Sequence, residues 1–324
     1  MSTVHGAGGG INGAWPGRVQ LGSSIRQFIR GASLEITVEE AGDIPALARV
    51  LEHGTAVHVV HGSATRLESV ARVALALREA GLSPCPHVAV RRVESEAALR
   101  RFLGSLQAGG VDSILLTAGD VVDPGGPYLS AMDVLRSGTT VDHGIERIGV
   151  VGHPEGSRLV AEDEIWRTLD RKQAFADRTG TSLFLVSQFA LNPGAVPAWE
   201  CELRARGITL PVHVGVPGPR SLPHLMHHAL QCGVEHADLG LLRVTQASAA
   251  AVGVTTPDQV LTGLVRQLRA QRETRVLKAH FLSCGSALDV ATWLRAATEG
   301  ALGVVPSEWG SAAAPNGAPR AGTS

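Results

Sequence analysis

Residues 147–189 read RIGVVGHPEGSRLVAEDEIWRTLDRKQAFADRTGTSLFLVSQF. Two short apolar runs, RIGVVGH at 147–153 and SLFLVSQF at 182–189, flank an amphipathic stretch over 162–179. A buried strand, a longer helix and a second buried strand is the βα repeat of a parallel sheet. The same rhythm extends in both directions. SLEITV (33–38), AVHVVHG (56–62), PHVAV (86–90) and SILLTAG (113–119) come before it, and PVHVGV (211–216) and VLKAHFLS (276–283) after it. The intervening stretches predict helices over 43–52, 66–80, 95–108, 128–137, 196–206, 221–231 and 286–298. Asp43 and Ser95 stand where helix N-caps belong, and Gly54, Gly81 and Gly207 where helices stop.

Eight such units in order predict an α/β fold, a closed (β/α)8 TIM barrel. An open doubly wound sheet would carry a glycine-rich phosphate turn after its first strand, and no GxGxxG follows 33–38. Segment 234–274 breaks the rhythm. Extra helices near 244–252 and 256–271 are expected between the seventh helix and the eighth strand, as an insertion at the active-site mouth. The glycine-rich start and the Ala/Pro/Gly/Ser-rich end divide the chain into a flexible N-terminal arm (1–30), the barrel (31–305) and a disordered C-terminal tail (306–324).

Composition agrees. The 324 residues are 44% hydrophobic and 18% charged, which allows a large core and excludes global disorder. Aromatics are 4%, so the core is built from Val, Leu, Ile and Ala. A formal charge of −1 gives no footprint for nucleic acid or an anionic membrane. Cys85, Cys201, Cys232 and Cys284 are scattered without a CxxC pair, and no signal peptide or membrane-spanning run is seen. The expectation is a cytoplasmic protein with reduced thiols, with room for a homo-oligomer.

Catalytic groups of such barrels come from strand C-termini and the loops after them. That rule selects Glu35, His61, His87, the Thr117-Ala118-Gly119-Asp120 end, His153-Pro154-Glu155, Gln188, the 217–220 loop, His280 and Ser283. Glu35 stands out, because a carboxylate inside SLEITV is costly to bury unless it is paired or protonated. Facing the lumen, it would be a general acid with a raised pKa; the bland reading is a carboxylate held by a basic neighbour. Asp120 is a ligand-facing carboxylate or a turn cap. Gln188 offers a donor and an acceptor to a heterocycle edge, or is a satisfied core amide. His58 and His61, three apart on one strand, point to opposite faces, so at most one meets the lumen. His224 and His228 share a helix face, but no HExxH and no interleaved carboxylate accompanies them, so no metal is expected.

These positions resemble the methylenetetrahydrofolate reductase family over roughly 30–300. SLEIT (33–37), CPHVAV (85–90), LLTAGD (115–120), IGVVGHPEG (148–156), VSQFALN (186–192), RGITLPVHVGVPGP (206–219) and HFLSCG (280–285) are similar to its motifs, in its order. The resemblance implies FAD across the barrel top, a folate stacked on it, and hydride transfer between 5,10-methylene- and 5-methyltetrahydrofolate, with NADH or NADPH as electron donor. It implies Glu35 and Asp120 as catalytic residues. It implies a cofactor site of His61, His87, Gly119, Asp120, Tyr128, His153, Glu155 and Lys172, and a substrate site of Gln188, Phe189 and Phe281. The chain departs from the family at Ala118, where an arginine is usual, at Val38-Glu39-Glu40 in place of Pro-Pro, and at Gly285-Ser286 in place of Asn and Arg. Those departures leave open a divergent branch oxidising methyl-tetrahydrofolate in one-carbon catabolism, a flavin-free reductase, and a non-catalytic folate-binding or partner-binding barrel.

Overall fold

The computed structural model describes residues 16–119, 124–188, 192, 194–221, 254, 255, 257–271, 274–283 and 285–302. Ten strands occur among them: β1 (Ser33–Ile36), β2 (Ala56–Val59), β3 (Ser83–Ala89), β4 (Ser113–Thr117), β5 (Arg147–Gly152), β6 (Ser182–Ser187), β7 (Val212–Pro217), β8 (Arg220–Ser221), β9 (Val254–Thr255) and β10 (Val276–Leu282). Eight of them close a barrel in the order β1-β10-β7-β6-β5-β4-β3-β2. Every ladder in it is parallel, and the seam joins Ser33 to His280 and Leu34 to Phe281. The predicted fold is therefore the observed one. A short antiparallel ribbon of β8 and β9, absent from the sequence reading, lies beside it.

The alternation of side chains along each strand builds two cores. Leu34, Ile36, Val57, Val59, Ile148 and Val150 are fully buried against the helices. The opposite set faces the lumen, where Cys85, Leu115 and Val186 pack together with Phe184. Gly149 makes room there: a Cβ on it would stand 2.8 Å from Leu115 Cδ1 and 2.9 Å from the Phe184 ring.

The helices are α1 (Pro16–Ile29), α2 (Ile44–Val50), α3 (Leu67–Glu79), α4 (Glu96–Ala108), α5 (Ala131–Arg136), α6 (Thr139–Asp142), α7 (Glu162–Thr179), α8 (Ala195–Ala205), α9 (Asp258–Ala270) and α10 (Ala287–Glu299). Helix α7 matches the 162–179 stretch, and α9 is the second of the two expected extra helices. The helices expected over 221–231 and 244–252, the pair His224 and His228, and the 306–324 tail lie outside the described residues.

Over its described residues, the arm expected at 1–30 needs correction. Residues 16–29 form a helix that packs against α9, α10 and β10, with Ile25 and Ile29 buried. Leu21, Ile25, Phe28 and Ile29 fall on one helical face at i, i+4, i+7 and i+8, so burial of that stripe outweighs the low helix propensity of Gly22, Ser23 and Ser24.

The first and last βα units are latched by Glu40. Its Oε2 accepts from Thr37 N at 2.8 Å, and its Oε1 accepts from Ala287 N at 2.7 Å, at the start of α10. A carboxylate there satisfies two backbone donors and meets the positive end of the helix dipole. Glu40→Gln replaces one acceptor by a donor facing a donor. We expect a loss of about 1–3 kcal/mol, read as a lower urea midpoint.

Candidate active site

Glu35 is the next-to-last residue of β1, on the strand face opposite Leu34 and Ile36. Its side chain is 15% exposed and reaches the lumen, where Oε1 lies 3.2 Å from His280 Nε2 and 4.0 Å from His87 Nε2. His280 sits on β10, two residues before its end, and its Nδ1 is 2.9 Å from Ser33 Oγ. His58, paired with Glu35 in the β1–β2 ladder, places its Nδ1 3.2 Å from His87 Nε2 and tilts its ring 4.3 Å from that of His280. Among the described residues, Glu35 thus stands with three imidazoles in the lumen.

Burial keeps two of these rings neutral. It lowers His87 to about 4, even with Glu35 pulling the other way. It drives His58 well below the usual histidine range, helped by His280 and His87. Each has a neighbouring ring within hydrogen-bond distance, so in that contact one nitrogen donates and the other accepts. Among the described residues no group of three or more His, Cys, Asp or Glu side chains is arranged to hold a metal ion. Beneath the histidines, burial pushes the Cys85 thiol up to about 12, and Ser113 Oγ donates to its sulfur at 3.6 Å. Cys85 therefore stays a packed thiol rather than a nucleophile.

The rest of the mouth is assembled from loops. Gly119, just after β4, has φ +84°, and a Cβ on it would stand 3.1 Å from Ala89 Cβ. The chain can turn there, close against β3, only with glycine. His153 follows β5, half-buried, and burial together with Lys172 lowers it to about 4. Glu155 Oε1 accepts from Asn192 N at 2.6 Å, tying the loop after β5 to the loop after β6. Gln188 is half-buried just past β6, two residues beyond the lumen-facing Val186, and its backbone N donates to Gly152 O. Glu35, His87, Gly119, His153, Glu155 and Gln188 thus share the C-terminal end of the barrel.

Several predicted site residues make their described contacts within the scaffold. His61 accepts from Ala89 N at Nδ1 and so donates from Nε2 to Thr65 O, pinning the loop after β2 to the end of β3. Tyr128 is buried in the outer core. Lys172 is buried on α7 and donates from Nζ to Val151 O at 3.0 Å. Phe281 is fully buried on the outer face of β10, its ring 5.4 Å from that of Trp293 on α10. Its pairing with Leu34 puts it on the face opposite Glu35, so it cannot touch a ligand in the lumen. Asp120 and Phe189 lie outside the described residues.

No family model matches the sequence. Among solved structures, the chain is similar to an uncharacterized protein from Clostridium thermocellum that binds two copies of 5-methyl-5,6,7,8-tetrahydrofolic acid. The TM-score is 0.52 at 11% identity, over 86% of this chain and 98% of that one. It shares the fold. A catalytic-lysine mutant of the Ruminococcus gnavus sialic acid aldolase matches over 60% of this chain and 59% of its own, with a TM-score of 0.35 at 12% identity. No helix among the described residues is long and apolar enough to cross a membrane.

Two features of the cluster were readable but not joined in the sequence. Ser33, Glu35 and His280 have the parity of lumen residues on β1 and β10, and Val-His-Val at 57–59 marks His58 as the lumen histidine of β2. What the sequence lacks is the register that sets them side by side. Lys172 gives a separate check on burial, which lowers it to about 8. A folded value below the unfolded 10.5 means that stability is withheld at neutral pH and recovered as pH rises from about 8 to about 10.5. We expect wild type to gain roughly 3 kcal/mol across that window relative to Lys172→Met. Parallel urea curves at both ends of the window would measure it; equal slopes would mean a hydrated lysine.

Proposed function

We propose that the protein binds a reduced folate at the C-terminal mouth of the barrel and interconverts 5,10-methylene- and 5-methyltetrahydrofolate, with Glu35 as the proton-exchanging group. The observation that carries this reading is Glu35 itself, a carboxylate at the base of the mouth, held by His280 and backed by His87. Opening the five-membered methylene bridge needs one proton on nitrogen and yields an iminium cation that accepts hydride. A positioned carboxyl supplies the first, and a nearby negative charge favours the second. Gln188, on the far side of the mouth, has the donor and acceptor that a pterin edge would pair with. The folate-binding neighbour of the same fold supports the substrate class.

Four of the eight residues that the resemblance assigns to FAD are engaged within the scaffold or the histidine cluster. Of the side chains that the resemblance assigns to FAD, His61 has both ring nitrogens engaged by backbone, Tyr128 lies in the outer core and Lys172 is buried against β5. His87 is turned to His58 and Glu35. We therefore read the hydride partner as a nicotinamide dinucleotide, NADH or NADPH, meeting the folate directly in the mouth. In the reductive direction its hydride goes to the one-carbon unit and the Glu35 proton to nitrogen, giving the methyl product and the oxidised nicotinamide.

Titration calorimetry with 5-methyltetrahydrofolate tests binding, and the visible spectrum after incubation with FAD tests the cofactor. We expect saturable folate binding, and turnover with NADH or NADPH by protein that takes up no flavin. A protein that binds no reduced folate refutes the proposal. One that is active solely with bound FAD restores the flavin and rejects direct transfer.

A further inference from the structure

The proton-exchanging carboxylate does not stand alone in the lumen, and the group that holds it has its own support. Ser33 and His280 are direct partners across the β1–β10 seam, so their side chains project together into the lumen. Ser33 is fully buried and His280 is 1% exposed. One ring nitrogen, Nδ1, meets the serine hydroxyl at 2.9 Å; the other, Nε2, meets Glu35 Oε1 at 3.2 Å. The His58 ring lies against the same imidazole at 4.3 Å and limits its rotation.

We propose that His280 is a positioning residue for Glu35: the Ser33 hydroxyl occupies Nδ1, which leaves the proton on Nε2 to hold the carboxylate oxygen in one orientation. This deepens the reading of Glu35 given above and rests on it. The reasoning is one of hydrogen-bond bookkeeping. A neutral imidazole carries one N–H and one acceptor nitrogen, and the bond at one nitrogen decides the other. A serine hydroxyl donating to Nδ1 forces Nε2–H toward Glu35. The opposite tautomer would set a bare Nε2 lone pair against a carboxylate oxygen, which is repulsive unless Glu35 itself holds the proton. The tautomer of His280 therefore reports the resting state of Glu35. A carboxylate held this way is ready to take a proton in the oxidative direction and keeps its orientation when it acquires one in the other.

Nitrogen NMR of histidine-labelled protein, without folate, tests the arrangement apart from turnover, the His280 signals being identified by their loss in His280→Gln. We expect a proton on Nε2 and a bare, accepting Nδ1, and a spread over both nitrogens in Ser33→Ala. A proton on Nδ1, a doubly protonated ring, or a Ser33→Ala spectrum like wild type overturns the proposal. Turnover gives the second arm. His280→Leu should lower kcat about 10²-fold with KM nearly unchanged, and His280→Gln, which keeps an N–H donor, should recover most of it. Equal losses in both variants overturn the positioning role. If His280→Leu does not fold, the NMR result and His280→Gln decide. A wild-type protein with the expected Nε2–H signal but no folate turnover supports the positioning of Glu35 and rejects the proposed reaction.

Discussion

Glu35→Gln should lower kcat for folate oxidoreduction by roughly 10³-fold while leaving the affinity for 5-methyltetrahydrofolate within about threefold. Glutamine has the shape of glutamate, and its carbonyl can still accept from His280 Nε2, whose distance to Oε1 is 3.2 Å. The variant therefore keeps the lumen packed and removes the exchangeable proton alone. Loss of kcat without loss of binding is the mark of an interaction made in the transition state. Stopped-flow rates and calorimetric Kd values on one preparation separate the possibilities. Matched losses in kcat and affinity would assign Glu35 to substrate binding; an unchanged kcat would remove it from the chemistry. The urea midpoint should move little, because the hydrogen bond to His280 persists.

The barrel was legible because its evidence is repeated. Eight apolar runs separated by amphipathic stretches leave few alternative topologies, and each unit tolerates an error of a residue or two at its ends. Strand ends were the weak point. The runs at 33–38, 56–62 and 113–119 continue past the observed ends at Ile36, Val59 and Thr117, because apolar residues continue into the loops that form the mouth. Helix α1 was missed for a different reason. Its flanking glycines dominated the reading, although Leu21, Ile25, Phe28 and Ile29 keep a helical period that tertiary burial rewards.

The site was legible to the level of single strands. Glu35 was singled out by its strand-end position and its burial cost, and its side chain reaches the lumen. Phe281 shows where the reasoning failed. A motif match ignores strand parity, and one residue of offset from His280 sends the ring to the helices instead of the lumen. Lys172 and Tyr128 both stand in family-like order along the chain, and local packing buries both. The Ser33–His280–Glu35 and His58–His87 contacts cross two ladders, β1–β10 and β2–β3. They depend on the register between separate strands, which no local pattern encodes.

The same buried imidazoles make the fold acid-sensitive well above the carboxylate range. Burial holds His87 near 4, and burial aided by Lys278 and His280 holds His213 near 3; His153 sits near 4. In the unfolded chain each titrates near 6.5. Their folded values are depressed, so below about pH 6.5 the unfolded state binds more protons and stability falls. It is present in full above that point, and the loss continues until pH reaches the folded values, where both states are protonated alike. By about pH 5 one such histidine withdraws roughly 2 kcal/mol, and two or three acting together approach the whole stability of an ordinary domain, about 5–15 kcal/mol. Glutamate carboxylates in unfolded chains titrate lower, near 4.3, so a loss already under way at pH 6 belongs to the histidines. Urea midpoints taken from neutral pH down to about pH 5 should fall steadily. His213→Asn, which keeps a polar side chain beside Phe184 but cannot titrate, should flatten part of that slope. A midpoint constant over the interval would mean that the histidines are protonated in the folded lumen, with Glu35 as their counter-ion, and the neutral-ring arrangement around it would have to be abandoned.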